Sequence, residues 1–340
     1  MDASQNRWLA QNPSLPSLKE LLDSARVVSL PMRNKFRGVT EREALLVEGP
    51  NGWTEWAPFT EYQDEEAAIW LTAALEFGWG NLPTMQRQQV GINATLGALA
   101  PEAVEKALRP FGSFSTVKIK VAEPGQSLQN DIDRIIKVWQ TYPGVKIRLD
   151  ANGGLEVDQA ISLVGMMLEN GIELEYFEQP CKTIAELAEF KLKLVRYSDR
   201  VKVAADESVR KVSDPLAVAQ ANAADILVLK AAPLGGISRA LSIAAEAELP
   251  VVISSALDTS VGLSMGAYLA AAIPNLEFDC GLATSALLAG DVTREPLRAE
   301  NGFINVRRVE VDESKLEIFK AQDHREDWWL ERLERVYKLL

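Results

Sequence analysis

The sequence predicts an α/β fold, a closed barrel of parallel strands under an aromatic-rich cap. Strand-like runs alternate with helical ones from about residue 88 to residue 297. Five of these runs (117–120, 145–150, 174–178, 201–206 and 226–230) finish on Lys120, Asp150, Glu178, Asp206 and Lys230. The steps between these ends are about 30, 28, 28 and 24 residues, near the roughly 30 of a strand–helix–strand unit. The charged ends should therefore converge on one rim, where a barrel keeps its chemistry. The third observation is the placing of the eight tryptophans, of which only Trp139 falls inside the alternating region.

In chain order, residues 1–26 read as a polar lead with a short helical pattern near 18–22. Segments 27–33 and 43–49 suggest an antiparallel hairpin, which the Pro50-Asn51-Gly52 turn continues into 53–56. Residues 65–77 place Ala68, Ile69, Leu71, Thr72 and Leu75 at helical spacing behind an acidic start. Strands are then expected near Val90 and at 117–120, 146–149, 174–178, 202–205, 226–229, 251–254 and 276–279. The helical runs are 104–108, 128–141, 157–170, 184–195, 215–222, 237–247 and 261–272. After about Leu297 the alternation stops: 303–306 and 309–311 read as strands and 316–340 as a helical tail with Trp328-Trp329. The expected division is 1–87 as the first part of the cap, 88–297 as the barrel, and 298–340 packing back on the cap. An open doubly wound sheet is the alternative, disfavoured because the charged ends are spread over so many strands.

Composition narrows the function. A formal net charge of −12 without a basic cluster argues against nucleic acid and anionic membrane surfaces. The longest apolar stretch, 265–273, is too short to span a bilayer, and the first residues lack a secretory pattern. Cys181 and Cys280 have neither metal-type nor redox-type spacing and read as two buried thiols. Cytoplasm is the default expectation.

Asp150, Glu178 and Asp206 end successive strands, so three carboxylates should lie side by side and repel unless a cation sits between them. An oxygen-only set suits a hard divalent ion, Mg²⁺ first. Lys118 and Lys120 share one strand face, although a lone K-x-K strand also suits a solvated edge. Lys230 should lie roughly opposite, and a lysine base with a lowered pKa could then remove a proton beside a carboxylate. Asn152 and Glu207 read as groups orienting the ligands, with loop and turn roles equally open. Gln179-Pro180 is expected only to turn the chain. His324 sits in a charged tail segment and reads as a surface residue, which excludes histidine catalysis. Gly235-Gly236 follows a strand but lacks the rest of a phosphate loop.

Val117-Lys-Ile-Lys120, Leu149-Asp-Ala-Asn152, Tyr176-Phe-Glu-Gln-Pro180, Ala205-Asp-Glu-Ser208, Leu229-Lys230 with Gly235-Gly236, and Ser254-Ser-Ala-Leu-Asp-Thr-Ser-Val-Gly-Leu263 together resemble the enolase superfamily in its muconate-lactonizing-enzyme-like branch. The match runs in order from about 88 to 297. The resemblance implies a modified TIM barrel, (β/α)7β, with an α+β capping domain built from the N-terminal segment and the C-terminal tail. Met32–Val39 and Thr54–Phe59 narrow the resemblance to the branch's dehydratases of quinone biosynthesis. It implies Mg²⁺, with Mn²⁺ as a substitute, on Asp150, Glu178 and Asp206, and a small-molecule carboxylate substrate. Lys120 would be the base, Lys118 its tuning neighbour and Lys230 a cation on the far face. Ser254, Ser255 and Arg37, the last beside Arg33 and Lys35 on a cap loop, would contact substrate, although small residues at 254 and 255 could simply relieve crowding at the mouth and surface solvation suits each of the three basic residues equally. An N-succinylamino acid racemase or a dipeptide epimerase uses the same lysine pair, and a non-catalytic ligand-binding barrel is the alternative from another class. For the epimerase, Asp279 offers only a single acid near the eighth strand.

Overall fold

The computed structural model describes residues 15–36, 38–211 and 214–340. A helix, Leu18–Ser24, opens on a capping box in which Ser17 and Glu20 satisfy each other's backbone N–H groups. β1 (Arg26–Phe36), β2 (Val39–Gly49) and β3 (Gly52–Trp56) form an antiparallel sheet in that order. Its tight second turn uses Gly52 at φ +100°, a backbone form that glycine alone adopts without strain. The helix Asp64–Trp79 begins with three acids, which suit the positive end of its dipole, and is buried from Ala67 to Gly78 except at Ile69. The last helix, Asp323–Tyr337, brings Trp329 edge-on to Trp56 at 5.3 Å between ring centres. Arg332 on the same helix donates to the Tyr62 carbonyl at 2.6 Å. The two ends of the chain thus pack on one another through the aromatic side chains that cluster there in the sequence.

β4 (Gln89–Gly91) leads into a seven-stranded parallel sheet ordered by sequence: β5 (Ala94–Leu96), β6 (Thr116–Lys120), β7 (Lys146–Asp150), β8 (Leu174–Glu178), β9 (Lys202–Ala205), β10 (Ile226–Leu229) and β11 (Val251–Ile253). Helices cross between successive strands, and four buried residues in a row, Ile226 to Leu229, show a strand covered on both faces. Tyr176, Ala204, Ile226, Val228 and Val252 fill the barrel interior. Arg148 lies level with Tyr176, its guanidinium 4.6 Å from that ring centre, and donates to the Asp279 carbonyl at 2.6 Å. β12 (Phe303–Asn305) runs antiparallel to β4.

The circuit closes, so the open sheet is excluded, but not through the strand expected at 276–279. Single residues close it: Cys280 donates to Gly91 O at 2.7 Å and Gly281 to Ile253 O at 2.8 Å. Asp279 instead turns its carboxylate to Ser115 and Thr116 at the foot of β6. Gly281 can approach because it has no side chain, since a Cβ there would meet Ser254 Oγ at 2.6 Å. Three other expectations change. Residues 309–311 form no strand, and the neighbouring Arg308 lies 3.5 Å over the Phe77 ring. The helix expected over 215–222 shortens to Ala217–Gln220. The tail breaks into Glu313–Ile318 and Asp323–Tyr337 because the stretch between pairs with β1, Ser29 N donating to Phe319 O and Ala321 N to Val27 O.

The Gly235-Gly236 pair serves packing. Gly236 holds φ +127° at the start of the helix Ile237–Ala247, where Glu76 from the cap accepts from Ser238 N at 3.0 Å. A Cβ on Gly236 would lie 1.8 Å from Glu76 Oε2. Gly236→Ala therefore combines backbone strain with overpacking, and urea denaturation should show a loss of about 2–4 kcal/mol.

Candidate active site

The parallel register sets Lys120 beside Asp150 and Asp150 beside Glu178, with Glu178 beside Ala204 two residues before Asp206. Neighbouring strand ends therefore deliver their side chains to one rim. Lys120 Nζ lies 2.6 Å from Asp150 Oδ2 and also donates to Asn152 Oδ1. Lys118, two residues back on the same face, reaches both Glu178 oxygens at 2.7 and 2.8 Å and Asp150 at 3.1 Å. Lys230 at the end of β10 donates to Asp206 Oδ2 at 2.6 Å, while Arg210 Nε takes the other oxygen at 2.9 Å. The three carboxylates are buried to within a few per cent of full enclosure.

Burial is the largest influence on Lys118, Lys120 and the three carboxyl groups, and the charges decide the outcome. It pushes Lys120 down, with the Lys118 ammonium adding to the effect and Asp150 opposing it. Burial also works against Lys118, but Asp150 and Glu178 outweigh it and hold that ammonium charged. For Asp150, Lys118 and Lys120 overcome burial and keep the carboxyl well below its ordinary range. Arg210 and Lys230 do the same for Asp206. Glu178 goes the other way, pushed up to about 7 by burial and by the charge of Asp150. Its two short contacts to a charged Lys118 favour the ion pair at neutral pH, so the dyad is best described as Lys118-H⁺ with an ionised Glu178.

The oxygen-only donors of Asp150, Glu178 and Asp206 fit a hard divalent cation, since each is buried and the charges of Asp150 and Asp206 both raise Glu178. As they stand, lysine nitrogens lie between the acids, and no group of three or more such ligands converges on one point among the described residues. Ion binding there requires the lysines to yield part of this pairing.

A pocket opens above the lysines, with Lys118, Lys120, Asp150, Asn152 and Lys230 on one side and Ser254 to Leu257 on the other. Phe59 reaches it from the cap, and Thr95, Gly281 and Thr284 complete the wall. Ser255 lines it, but its hydroxyl donates to Gly281 O at 2.7 Å and lies 2.8 Å from Thr284 Oγ1. Arg37 lies outside the described residues, as does the side chain of Lys35; Arg33 is exposed. His324 is exposed, both cysteines are buried free thiols, and Asp279 is at the opposite end of the barrel from the lysines.

Two residues that the sequence left without a role here organise the rim. Gln179 was expected only to turn the chain. It is buried at φ +39°, its amide donates to Cys181 O and Ser208 Oγ, and its oxygen accepts from the backbone N–H groups of Asp206 and Ser208. It thereby ties the end of β8 to the segment carrying Asp206. Arg210 braces Asp206 and Glu207 together, and Glu207 accepts from Asn152 at 3.2 Å. The signal for Arg210 was its spacing, four residues after Asp206 on a helical turn.

Comparison with known proteins agrees with this architecture. The family model described as enolase C-terminal domain-like matches residues 96–310, and the enolase N-terminal domain-like model matches 27–78. The chain belongs to the enolase superfamily. The solved muconate lactonizing enzyme from Pseudomonas fluorescens superimposes with a TM-score of 0.74 at 17% identity, over 88% of this chain and 98% of that one. An o-succinylbenzoate synthase of Mycobacterium bovis is 48% identical over 96% of this chain and 98% of its own length. One from Mycobacterium ulcerans is 46% identical over the same shares. Within the superfamily the chain belongs with the o-succinylbenzoate synthases.

Replacing Gln179 by Leu would strand the N–H groups of Asp206 and Ser208 in a buried site. We expect a loss of roughly 2–5 kcal/mol in chemical denaturation, with the drop in activity tracking the displacement of Asp206.

Proposed function

We propose that the protein dehydrates 2-succinyl-6-hydroxy-2,4-cyclohexadiene-1-carboxylate to o-succinylbenzoate, a step of menaquinone or phylloquinone synthesis, in the cytoplasm. The observation that carries the reading is Lys120: a largely enclosed lysine on the pocket wall, its side chain 12% exposed, pushed below its ordinary pKa and aimed by Asp150 and Asn152. The near-full-length relatives named o-succinylbenzoate synthase supply the substrate.

Neutral Lys120 takes the proton from the carbon alpha to the ring carboxylate. The C6–O bond then breaks on the same face, the ring becomes aromatic, and Lys120 returns its proton to the departing hydroxide as water. Proton and hydroxide thus leave through one group, a syn elimination. Lys118 stays charged beside it and favours the neutral form of its neighbour. Lys230, whose ammonium sits on the Asp206 side of the pocket, supplies positive charge to the other face of the ring. Asp150, Glu178 and Asp206 would hold a Mg²⁺ ion, for which Mn²⁺ can substitute. The chemistry it would supply is positive charge beside the substrate carboxylate, where negative charge grows as the alpha carbon loses its proton. Ser254 and the loop after it face the remainder of the substrate.

Racemisation of an N-succinylamino acid would use the same two lysines, one on each face. The epimerase variant is disfavoured because Asp279 points to the barrel foot, away from any substrate ammonium group at the mouth.

Incubating the purified protein with the cyclohexadiene and Mg²⁺ should give loss of the diene absorbance, with N-succinyl amino acids run alongside. Lys120→Ala should lower kcat by about 10³-fold or more at unchanged Tm and circular dichroism; retained turnover would remove Lys120 as the base. In a separate check, excess chelator should abolish activity and added Mg²⁺ or Mn²⁺ should restore it, while full activity in chelator refutes the metal assignment.

A further inference from the structure

We propose that Glu55, on the cap strand β3, is a positioning residue that fixes the substrate-facing wall of the pocket through the loop 254–259, without touching substrate itself. This rests on the dehydratase reading above. Glu55 is 4% exposed, and its carboxylate sits at the start of the helix Ser260–Ala272. It accepts from Thr259 N at 3.1 Å, from Gly262 N at 3.2 Å and from the Thr259 hydroxyl. Two of those donors are the otherwise unpaired N–H groups of a helix N-terminus; burial and the neighbouring Asp258 push the Glu55 carboxyl up to about 8, and the Thr259 hydroxyl, Arg42 and the Gly262 N–H oppose that rise.

What precedes this helix is the pocket wall. Ser254, Ser255, Ala256 and Leu257 all line the pocket, and the helix begins three residues after Leu257. The loop holds an unfavourable form: Leu257 has φ +62°, and Asp258 folds back to accept from Ala256 N at 3.1 Å. A non-glycine residue in that region persists only where its surroundings impose it. Two cap residues impose it here. Arg42 on β2 donates to Leu257 O at 3.2 Å and to Ala57 O, while Glu55 pins the helix start. Gly262 permits the approach, since a Cβ there would lie 2.7 Å from Asp258 Cβ and 2.8 Å from Glu55 Oε1.

The cap makes a second joint of the same kind, Glu76 on the helix Ile237–Ala247, and it separates positioning from general adhesion. None of residues 231–236, which lead into that helix, lines the pocket. Losing Glu76 should loosen the cap without deforming the wall.

The test compares steady-state kinetics and Tm for Glu55→Ala, Glu55→Gln, Gly262→Ala and Glu76→Ala. Glu55→Ala should raise KM about tenfold or more with kcat changed less than about threefold, because a wall displaced by a fraction of an ångström weakens binding. Glu55→Gln keeps an acceptor oxygen and should recover a large part of that loss. Gly262→Ala displaces the carboxylate while leaving it in the chain, so it should raise KM as well and decides the matter if Glu55→Ala does not fold. Glu76→Ala should lower Tm with KM within about twofold of wild type. KM unchanged in Gly262→Ala and in the Glu55 variants that fold, with only Tm reduced, overturns the proposal, as does an equal rise of KM in Glu76→Ala. The wild-type protein run in parallel tests the reaction itself. Should it show no turnover, that reading fails, and amide exchange at Ala256 and Thr259 decides the positioning role: faster exchange in Gly262→Ala supports it and unchanged exchange overturns it.

Discussion

Three buried carboxylates are laced at one rim to three lysines, Lys118 and Lys230 buried and Lys120 largely enclosed, and neither set could be enclosed without the other. An ionised side chain moved from water into a closed interior costs several kcal/mol unless a partner of opposite charge and further hydrogen bonds meet it. Here each acid has its ammonium: Asp150 has Lys118 and Lys120, Glu178 has Lys118, and Asp206 has Lys230. The parallel register makes the lacing possible, because it sets the ends of adjacent strands level and leaves the odd and even positions to alternate between barrel interior and helix layer. Shift one strand by a single residue and its charged end would face the helices.

The lacing also divides labour between two lysines only two residues apart. Lys118 is shared by two acids and stays charged; Lys120 is shared with one acid and an amide, and burial tips it toward the neutral form. The sequence suggested that a neighbouring ammonium and a nearby divalent cation would together lower Lys120. The structure gives that neighbour a part, but burial under the cap comes first. The cap therefore belongs to the site as well as to the fold: Phe59 lines the pocket from it, and it seats itself by aiming Glu55 and Glu76 at two helix starts.

Much of this was legible in the chain. Lys120, Asp150, Glu178, Asp206 and Lys230 could be read as one rim because strand periodicity and near-constant spacing are local signals, and each end is marked by a charge in an apolar run. The eighth strand was not legible, because its closure is a pair of bridges at Cys280 and Gly281 with no ladder of its own to shape the sequence. Gln179, Arg42, Glu55 and Glu76 were hidden for a related reason. For three of them the partners lie far along the chain, 215 positions away for Arg42 and Leu257, 162 for Glu76 and Ser238 and 204 for Glu55 and Thr259, so no periodicity records them. Gln179 sat next to a proline, and its turn was the whole of the local signal.

The rim alone does not choose between elimination and racemisation. Both begin with one lysine removing a proton beside a carboxylate, and both tolerate a second lysine on the opposite face. The choice lies in what the rest of the pocket holds in place: a hydroxyl that can leave on the side of Lys120, or a flexible chain that can accept a proton from Lys230. Ser254 through Leu257, Phe59 and Thr284 line the pocket without entering the charge lattice, and on the reading proposed above that selection would fall to them. Ser255 already commits its hydroxyl to the Gly281 carbonyl, so that part of the wall is fixed before substrate arrives. A wall so constrained suits a rigid ring that must present one face to Lys120, and it resists the looser fit that a family of N-acyl amino acids demands. On that reading specificity would belong to the loop held between Arg42 and Glu55, and reactivity to the rim.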